Sequence, residues 1–158
     1  MNKKANRFPE QSHELHRAVK GVAELFDLSL VKEESDAYGL EVLLQNNVAG
    51  VKFEFSPQEE EGWRAVVGRL SEGQFPRHPI RIDRRTVLHR FDLRDIAALR
   101  IELIPELAGK IRTLAPLSAR EMSVLLERCC ADLFKGDFSL FARLRERIMS
   151  RLPASAAD

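Results

Sequence analysis

The sequence predicts an α+β fold, in which a three- to four-stranded antiparallel sheet is covered on one face by an N-terminal helix and a C-terminal group of helices. Two observations predict it. Apolar residues alternate with polar ones between about residues 38 and 70, whereas before and after this stretch they recur every three or four residues. Strands that are gathered in one part of a chain, with helices in others, favour α+β over alternating βαβ units.

Length and composition are those of one folded domain. The chain has 158 residues, of which 44% are hydrophobic and 31% charged, enough to bury a core without disulfides or metals. We expect a flexible lead-in over residues 1–9, one domain over 10–153 and a flexible tail over 154–158. The 25 basic and 24 acidic side chains leave a net charge of +1, which argues against a general attraction to nucleic acid or membrane.

The first helix is predicted from Ser12 to Phe26. Ser12 is a plausible N-cap, and four apolar residues at helical spacing define the face that is turned inward: Leu15, Val19, Val22 and Phe26.

A β-hairpin is the clearest strand signal. Leu40, Val42 and Leu44 lie on one side of a predicted strand. Asn46-Asn47 suits a tight turn because asparagine tolerates positive φ. A second run, in which Val51, Phe53 and Phe55 alternate with polar residues, follows it. A further strand is predicted from Trp63 to Leu70, covered on both faces because Val66 and Val67 are adjacent. Upstream, Leu28 and Leu30 alternate weakly, and residues 33–36 are interpreted as a polar break.

The C-terminal half is predicted to be helical. Asp92 is a candidate N-cap for a short helix through Leu99. Residues 100–114 fit either a strand or a helix begun at Pro105, and we favour the helix. Ser118 and Glu121 form a capping-box pattern for a helix with the inward stripe Met122, Leu126, Cys129 and Leu133. Gly136 then closes that helix and Asp137 caps the last one, whose inward residues are Phe141, Leu144, Ile148 and Leu152.

Residues with catalytic or metal-binding potential are few. His13 and His16 have a spacing that allows metal binding, but no third ligand lies near them in sequence. Cys129 falls in a core stripe, and Cys130, about 100° around the helix, is expected to be part-exposed. His89, Asp92 and Asp95 suggest acid–base chemistry, although Asp92 is better explained as a cap. No nucleophile elbow, P-loop or dinucleotide motif is present, so we expect neither catalysis nor a metal or cofactor.

The expected location is the cytoplasm. No apolar stretch approaches the roughly 20 residues that cross a bilayer, the N-terminus lacks the apolar run of a signal peptide, and two adjacent cysteines are not a disulfide framework.

Charge is unevenly distributed along the chain. Between residues 77 and 100 the sequence contains seven arginines and two histidines but three aspartates. Arginine side chains suit phosphate or carboxylate partners. The candidate partner-binding residues are the arginines Arg77, Arg81, Arg84, Arg85 and Arg90 and the acidic run Glu59, Glu60 and Glu61. Solvated loops with local salt bridges are the alternative explanation for both groups.

Several segments carry a resemblance to a known group of proteins. They are Gly50 to Phe55, Trp63 to Leu70, Glu72 to Pro76, Arg90 to Asp95 and Ala131 to Phe141. Together they resemble a loose group of small uncharacterised bacterial proteins that are encoded beside polymorphic or contact-dependent toxins. The resemblance covers about two thirds of the chain and implies an immunity role. Immunity proteins against nucleases are often acidic, so for this neutral chain a nuclease partner implies docking through Glu59 to Glu61 or Glu33 to Asp36.

The leading hypothesis is therefore a non-catalytic protein-binding module, with toxin neutralisation as its most concrete form. The alternative is a nucleic-acid-binding or regulatory protein that uses the arginine-rich stretch; an enzyme of unrecognised type ranks third. The sequence predicts no membrane association, and it leaves the oligomeric state open.

Overall fold

The computed structural model describes residues 6–58 and 62–153. They form an α+β fold with an N-terminal helix, a five-stranded antiparallel sheet and C-terminal helices, so the expected three to four strands are an undercount. The strands follow the order β1-β2-β3-β4-β5 and are β1 (Ser29–Ser35), β2 (Leu40–Gln45), β3 (Ala49–Phe55), β4 (Trp63–Arg69) and β5 (Arg90–Asp92). The helices are α1 (Pro9–Phe26), α2 (Leu93–Leu99), α3 (Ala108–Thr113), α4 (Ala119–Cys129), α5 (Ala131–Phe134) and α6 (Leu140–Met149).

The hydrophobic core lies between one face of the sheet and the helices. Val42, Val51, Phe53 and Val67 point to this face and are fully buried in the same cluster as the apolar residues of the helices. The predicted α1 stripe is confirmed, since all four of its members are buried. Helix α1 packs against α4, and α2 contacts β4 and β5. The opposite face of the sheet carries charged side chains together with the buried Leu43 and Val66, and the segment that joins β4 to β5 packs on part of it.

Helix α1 begins at Pro9, three residues before the expected N-cap Ser12. Proline is pre-organised for the first helical turn, so it starts the helix earlier than the serine would. Ser12 is buried within the helix, and its hydroxyl donates to Glu33 of β1 over 2.8 Å. The polar break expected at residues 33–36 is wrong as well, because Glu33 to Ser35 belong to β1.

The β2–β3 hairpin is confirmed, with Val42 opposite Phe53. Its turn does not use a positive φ at asparagine. Instead, the Asn46 side-chain oxygen accepts from the amides of Val48 (2.9 Å) and Ala49 (3.0 Å). The Asn46 side-chain nitrogen donates to the carbonyls of Phe26 (2.9 Å) and Phe134 (2.8 Å). One asparagine thus joins the hairpin to the ends of two helices.

Two of the expected helix caps in the C-terminal half are present. The Asp92 carboxylate accepts from the Arg94 amide, and Ser118 and Glu121 form a reciprocal capping box. Residues 100–114 contain a 3-10 turn (Ile101–Leu103) followed by α3, which confirms the helix expected after Pro105. Asp137 is not the cap of α6: it accepts from Ser139, and α6 begins at Leu140.

The helix predicted through Leu133 is broken at Cys130, which separates α4 from α5. Arg100 bonds the chain on both sides of this break. Its guanidinium donates to the Cys129 carbonyl over 2.8 Å and to both carboxylate oxygens of Asp132 over 2.7 and 2.6 Å. The bidentate contact with Asp132 raises the pKa of Arg100.

Candidate binding surfaces

The segment that joins β4 to β5, residues 70–89, contains no helix or strand. It begins with a tight turn in which Ser71 and Gln74 exchange backbone hydrogen bonds. Loops longer than about 12–15 residues without secondary structure of their own are uncommon in compact domains and often serve binding. We call residues 70–89 the β4–β5 segment.

The first half of this segment is packed onto the sheet. Phe75 and Pro76 lie over Gly68, where an added Cβ would come within 2.9 Å of the Pro76 ring. Arg90 lies over the Phe75 ring at 5.5 Å and donates to the Pro76 carbonyl over 3.2 Å. Glycine at position 68 therefore lets the segment approach the β4 backbone closely.

The second half is held by α6 and by a local turn. Arg145 of α6 donates to the carbonyl of Thr86 over 3.1 Å and to that of Arg84. Asp83 accepts from the Arg85 amide over 2.8 Å, and this backbone hydrogen bond is the main reason why the pKa of Asp83 is lowered. These contacts hold the backbone and leave the side chains of Arg84 and Arg85 outside.

The five arginines that the sequence singles out differ in their surroundings. Arg77, Arg81, Arg84 and Arg85 are exposed, and none of their side chains forms a hydrogen bond or ion pair with another residue of the described ranges. Arg90 is half-buried against the segment, and burial lowers its pKa. Farther along, Arg94 donates to backbone carbonyls and Arg100 to Asp132. The structure thus divides one charged stretch into four exposed arginines and three that hold the fold.

Two apolar side chains lie among these exposed arginines. Ile80 is fully exposed and Val87 is 68% exposed, whereas Ile82 packs against the core. The sequence contains the signal, an isoleucine pair separated by Arg81, but alternation alone does not tell which isoleucine is buried. Exposed aliphatic residues among arginines form a surface that suits another protein.

A groove of about 1270 Å³ runs along β1 and extends to residues of β2, β3 and β4. Its charged lining residues are five acidic side chains against two basic ones, namely Glu33, Glu34, Asp36, Glu41 and Glu54 against Lys32 and Arg64. Tyr38 and Val31, which are 72% and 53% exposed, add apolar surface. Glu59, Glu60 and Glu61 lie outside the described residues.

The residues at the acidic site predicted from Glu33 to Asp36 have different partners. Glu33 accepts from Ser12 and bonds His16 at 2.8 Å. Asp36 accepts from the amides of Tyr38 and Gly39 in the β1–β2 turn. Glu34 is the most open, with its side chain 67% exposed.

A row of glutamates crosses the outer face of the sheet. In the strand register Glu34 lies opposite Glu41, Glu41 opposite Glu54, and Glu54 opposite Arg64. Like charges that are directly opposite one another destabilise a sheet. Two lysines of the neighbouring row offset this. Lys52 Nζ lies 3.2 Å from Glu41 and 3.8 Å from Glu54. Lys32 Nζ lies 3.4 Å from Glu34 and 3.8 Å from Glu41. At β4 the row ends at the cation Arg64, and at β1 it ends at the edge of the sheet.

Four of the titratable residues considered for chemistry, Cys129, Cys130, Asp92 and Asp95, are buried or paired. Cys129 and Cys130 are both buried, which corrects the expected part-exposure of Cys130, and burial raises the pKa of Cys129 to about 11 and that of Cys130 well above its usual value. Asp92 pairs with Arg64 at 3.0 Å, while Asp95 pairs with Arg147 and Arg151.

Two features are absent from the described part of the chain. No group of three or more histidine, cysteine, aspartate or glutamate side chains is arranged to hold a metal ion there. No helix among those described is both long enough and apolar enough to span a bilayer.

Comparisons with family models, with curated proteins and with solved structures give no match to this chain.

Proposed function

We propose that this chain is a non-catalytic protein-binding module, and that the neutralisation of a bacterial toxin is the most concrete form of its activity. One observation supports this most strongly. The β4–β5 segment is fixed to the sheet and to α6 by its backbone, while its exposed arginines and Ile80 face outward. A surface that is ordered before binding loses little conformational entropy when a partner docks.

The chemistry of this surface specifies the partner. Arginine forks bind carboxylates in a bidentate manner, so the partner presents acidic side chains. A fully exposed isoleucine adds binding energy only if it enters an apolar pocket. The partner is therefore a protein whose acidic surface contains such a pocket.

The same four arginines support a second candidate, binding of RNA or DNA through phosphate contacts. Such binding would weaken steeply as salt is raised. Aromatic side chains that stack on bases are the usual companions of arginine in single-strand binding, and here Phe75 lies beneath Arg90 and against the sheet. This makes the protein partner the favoured candidate.

Capture of partners with the wild-type protein and an Ile80→Ser variant tests the proposal. We expect the wild type to retain a stoichiometric protein partner after nuclease treatment of the native lysate, and Ile80→Ser to weaken that complex at least about tenfold, because the apolar anchor is lost. Nucleic-acid binding through phosphate contacts would be unaffected by this change. The readouts are mass spectrometry of the captured proteins and titration of the purified partner.

A control is Leu114→Ser, which removes another exposed aliphatic side chain (61%) at the end of α3. It should retain the partner. Recovery of polynucleotide alone, or equal partner affinity of Ile80→Ser and the wild type, would contradict the proposal.

A further inference from the structure

Strand β1 is an edge of the sheet, and its outward side has no neighbouring strand among the described residues. Every residue from Ser29 to Glu34 is exposed, including Leu30 and Val31, each 53% exposed. Edge strands present unpaired amides and carbonyls that pair readily with another strand. Proteins usually obstruct such edges with bulges and charges, and both occur here.

The bulge obstructs only the first part of β1. The register shifts between Leu30 and Lys32, which places the extra residue at Val31. From Lys32 to Ser35 the pairing with β2 is regular, with Lys32 opposite Leu43 and Ser35 opposite Leu40. Lys32, Glu33 and Glu34 of this second part are therefore the residues whose backbone is regular and open to another strand.

The charges on this part of β1 are complementary to those of a second copy of the same strand in antiparallel orientation. Lys32 and Glu34 lie on the outer face of the sheet, two positions apart, with Lys32 Nζ 3.4 Å from Glu34 Oε2. If a second β1 pairs antiparallel with Glu33 at the two-fold axis, each Lys32 lies directly opposite the other copy's Glu34. Four charges of alternating sign then meet on one face. Opposite charges in this position stabilise a strand pair.

The glutamate row supports the same register. The row Glu34, Glu41 and Glu54 ends on Arg64 at β4 and is open at β1. The partner subunit's Lys32 would stand at the open end, so that a cation closes the row on both sides. Glu33 itself points to the helical face, where Ser12 and His16 of α1 bind its carboxylate at 2.8 Å. Its partners therefore lie within its own subunit.

We propose that β1 pairs with β1 of a second copy of this chain, antiparallel about Glu33, so that one sheet continues through a symmetric dimer. The interface is isologous, as a two-fold axis requires. It is separate from the surface of the β4–β5 segment and does not depend on the proposed function.

Charge reversal at Lys32 and Glu34 tests the dimer without any other ligand. By sedimentation and light scattering at low salt, the wild type should have twice the mass of the 18.0 kDa chain. Lys32→Glu and Glu34→Lys should each weaken the dimer at least about tenfold, because like charges then face each other across the axis. The double variant K32E/E34K restores opposite charges at both pairs, and it should dimerise again.

Two controls separate the register from general effects of charge. Lys20→Glu and Glu127→Lys reverse exposed charges on α1 and α4 and should leave the dimer intact. Melting curves of all variants check that each one folds, and amide exchange in β1 should quicken as the wild type is diluted. A wild type that stays monomeric up to about millimolar concentration, single reversals that dimerise like the wild type, or a double variant that stays monomeric would each overturn the proposal.

Discussion

Replacing Phe53 with alanine is expected to lower the free energy of unfolding by about 3–5 kcal/mol. The side chain is fully buried in the central strand β3, between Val42 on β2 and Ala65 on β4. Removing it leaves a cavity between sheet and helices that strand pairing on both sides prevents from collapsing. Urea denaturation followed by far-UV circular dichroism measures the change.

The control for this prediction is Tyr38→Ala. Tyr38 is an aromatic residue in the turn before β2 with 72% of its surface exposed, and its loss should change stability by no more than about 0.5 kcal/mol. If the two variants lost similar stability, Phe53 would not lie at the centre of the core.

Replacing Gly39 with alanine is expected to cost about 1–3 kcal/mol by overpacking. A Cβ at this position would lie 2.1 Å from the backbone carbonyl oxygen of Phe55. Backbone in a paired strand cannot move away cheaply, so the end of the β2–β3 ladder has to open. Thermal and urea unfolding measure the loss.

Gly21→Ala provides a control of opposite sign. Gly21 lies inside α1, and a Cβ there meets no atom within 4 Å. Alanine should therefore stabilise the protein by about 0.5–1 kcal/mol through helix propensity. Destabilisation by Gly21→Ala, or a neutral Gly39→Ala, would contradict the packing described at these two positions.

Periodicity predicted the elements that bury one face. The α1 stripe and the β2–β3 hairpin follow directly from it. The adjacent Val66 and Val67 of β4 instead predicted a strand covered on both faces, and both are buried. Periodicity did not predict the two edge strands, for a different reason in each case. Strand β1 buries neither face completely, so its sequence Lys32-Glu33-Glu34 has no alternation to detect. Strand β5 has only three residues, which is shorter than any periodic pattern.

Local polar patterns predicted caps only where both partners are close in sequence. Ser118 and Glu121 are three residues apart, and their capping box is present. Ser12 and Asn46 instead bond residues far away, Glu33 for the one and Phe134 for the other. Such long-range partners depend on the tertiary fold, which the local pattern does not contain.

The candidate site was predictable in composition but not in detail. The excess of arginine between residues 77 and 100 is plain in the sequence. Which arginines are exposed depends on distant groups: Asp132 holds Arg100, and Arg145 of α6 fixes the segment that carries Arg84 and Arg85. The exposure of Ile80 likewise follows from Ile82, its neighbour two positions on, being the one that packs inward.

Partner binding by a variant with Arg81, Arg84 and Arg85 replaced by glutamate is the most direct test of the central claim. The matched control reverses Arg17, Arg112 and Arg120, which are exposed on α1, α3 and α4, so that both variants have the same net charge. We expect the control to retain the protein partner and the segment variant to retain less than about a tenth of it at equal salt, because juxtaposed like charges suppress docking. Equal retention of the partner by the two variants would contradict the account.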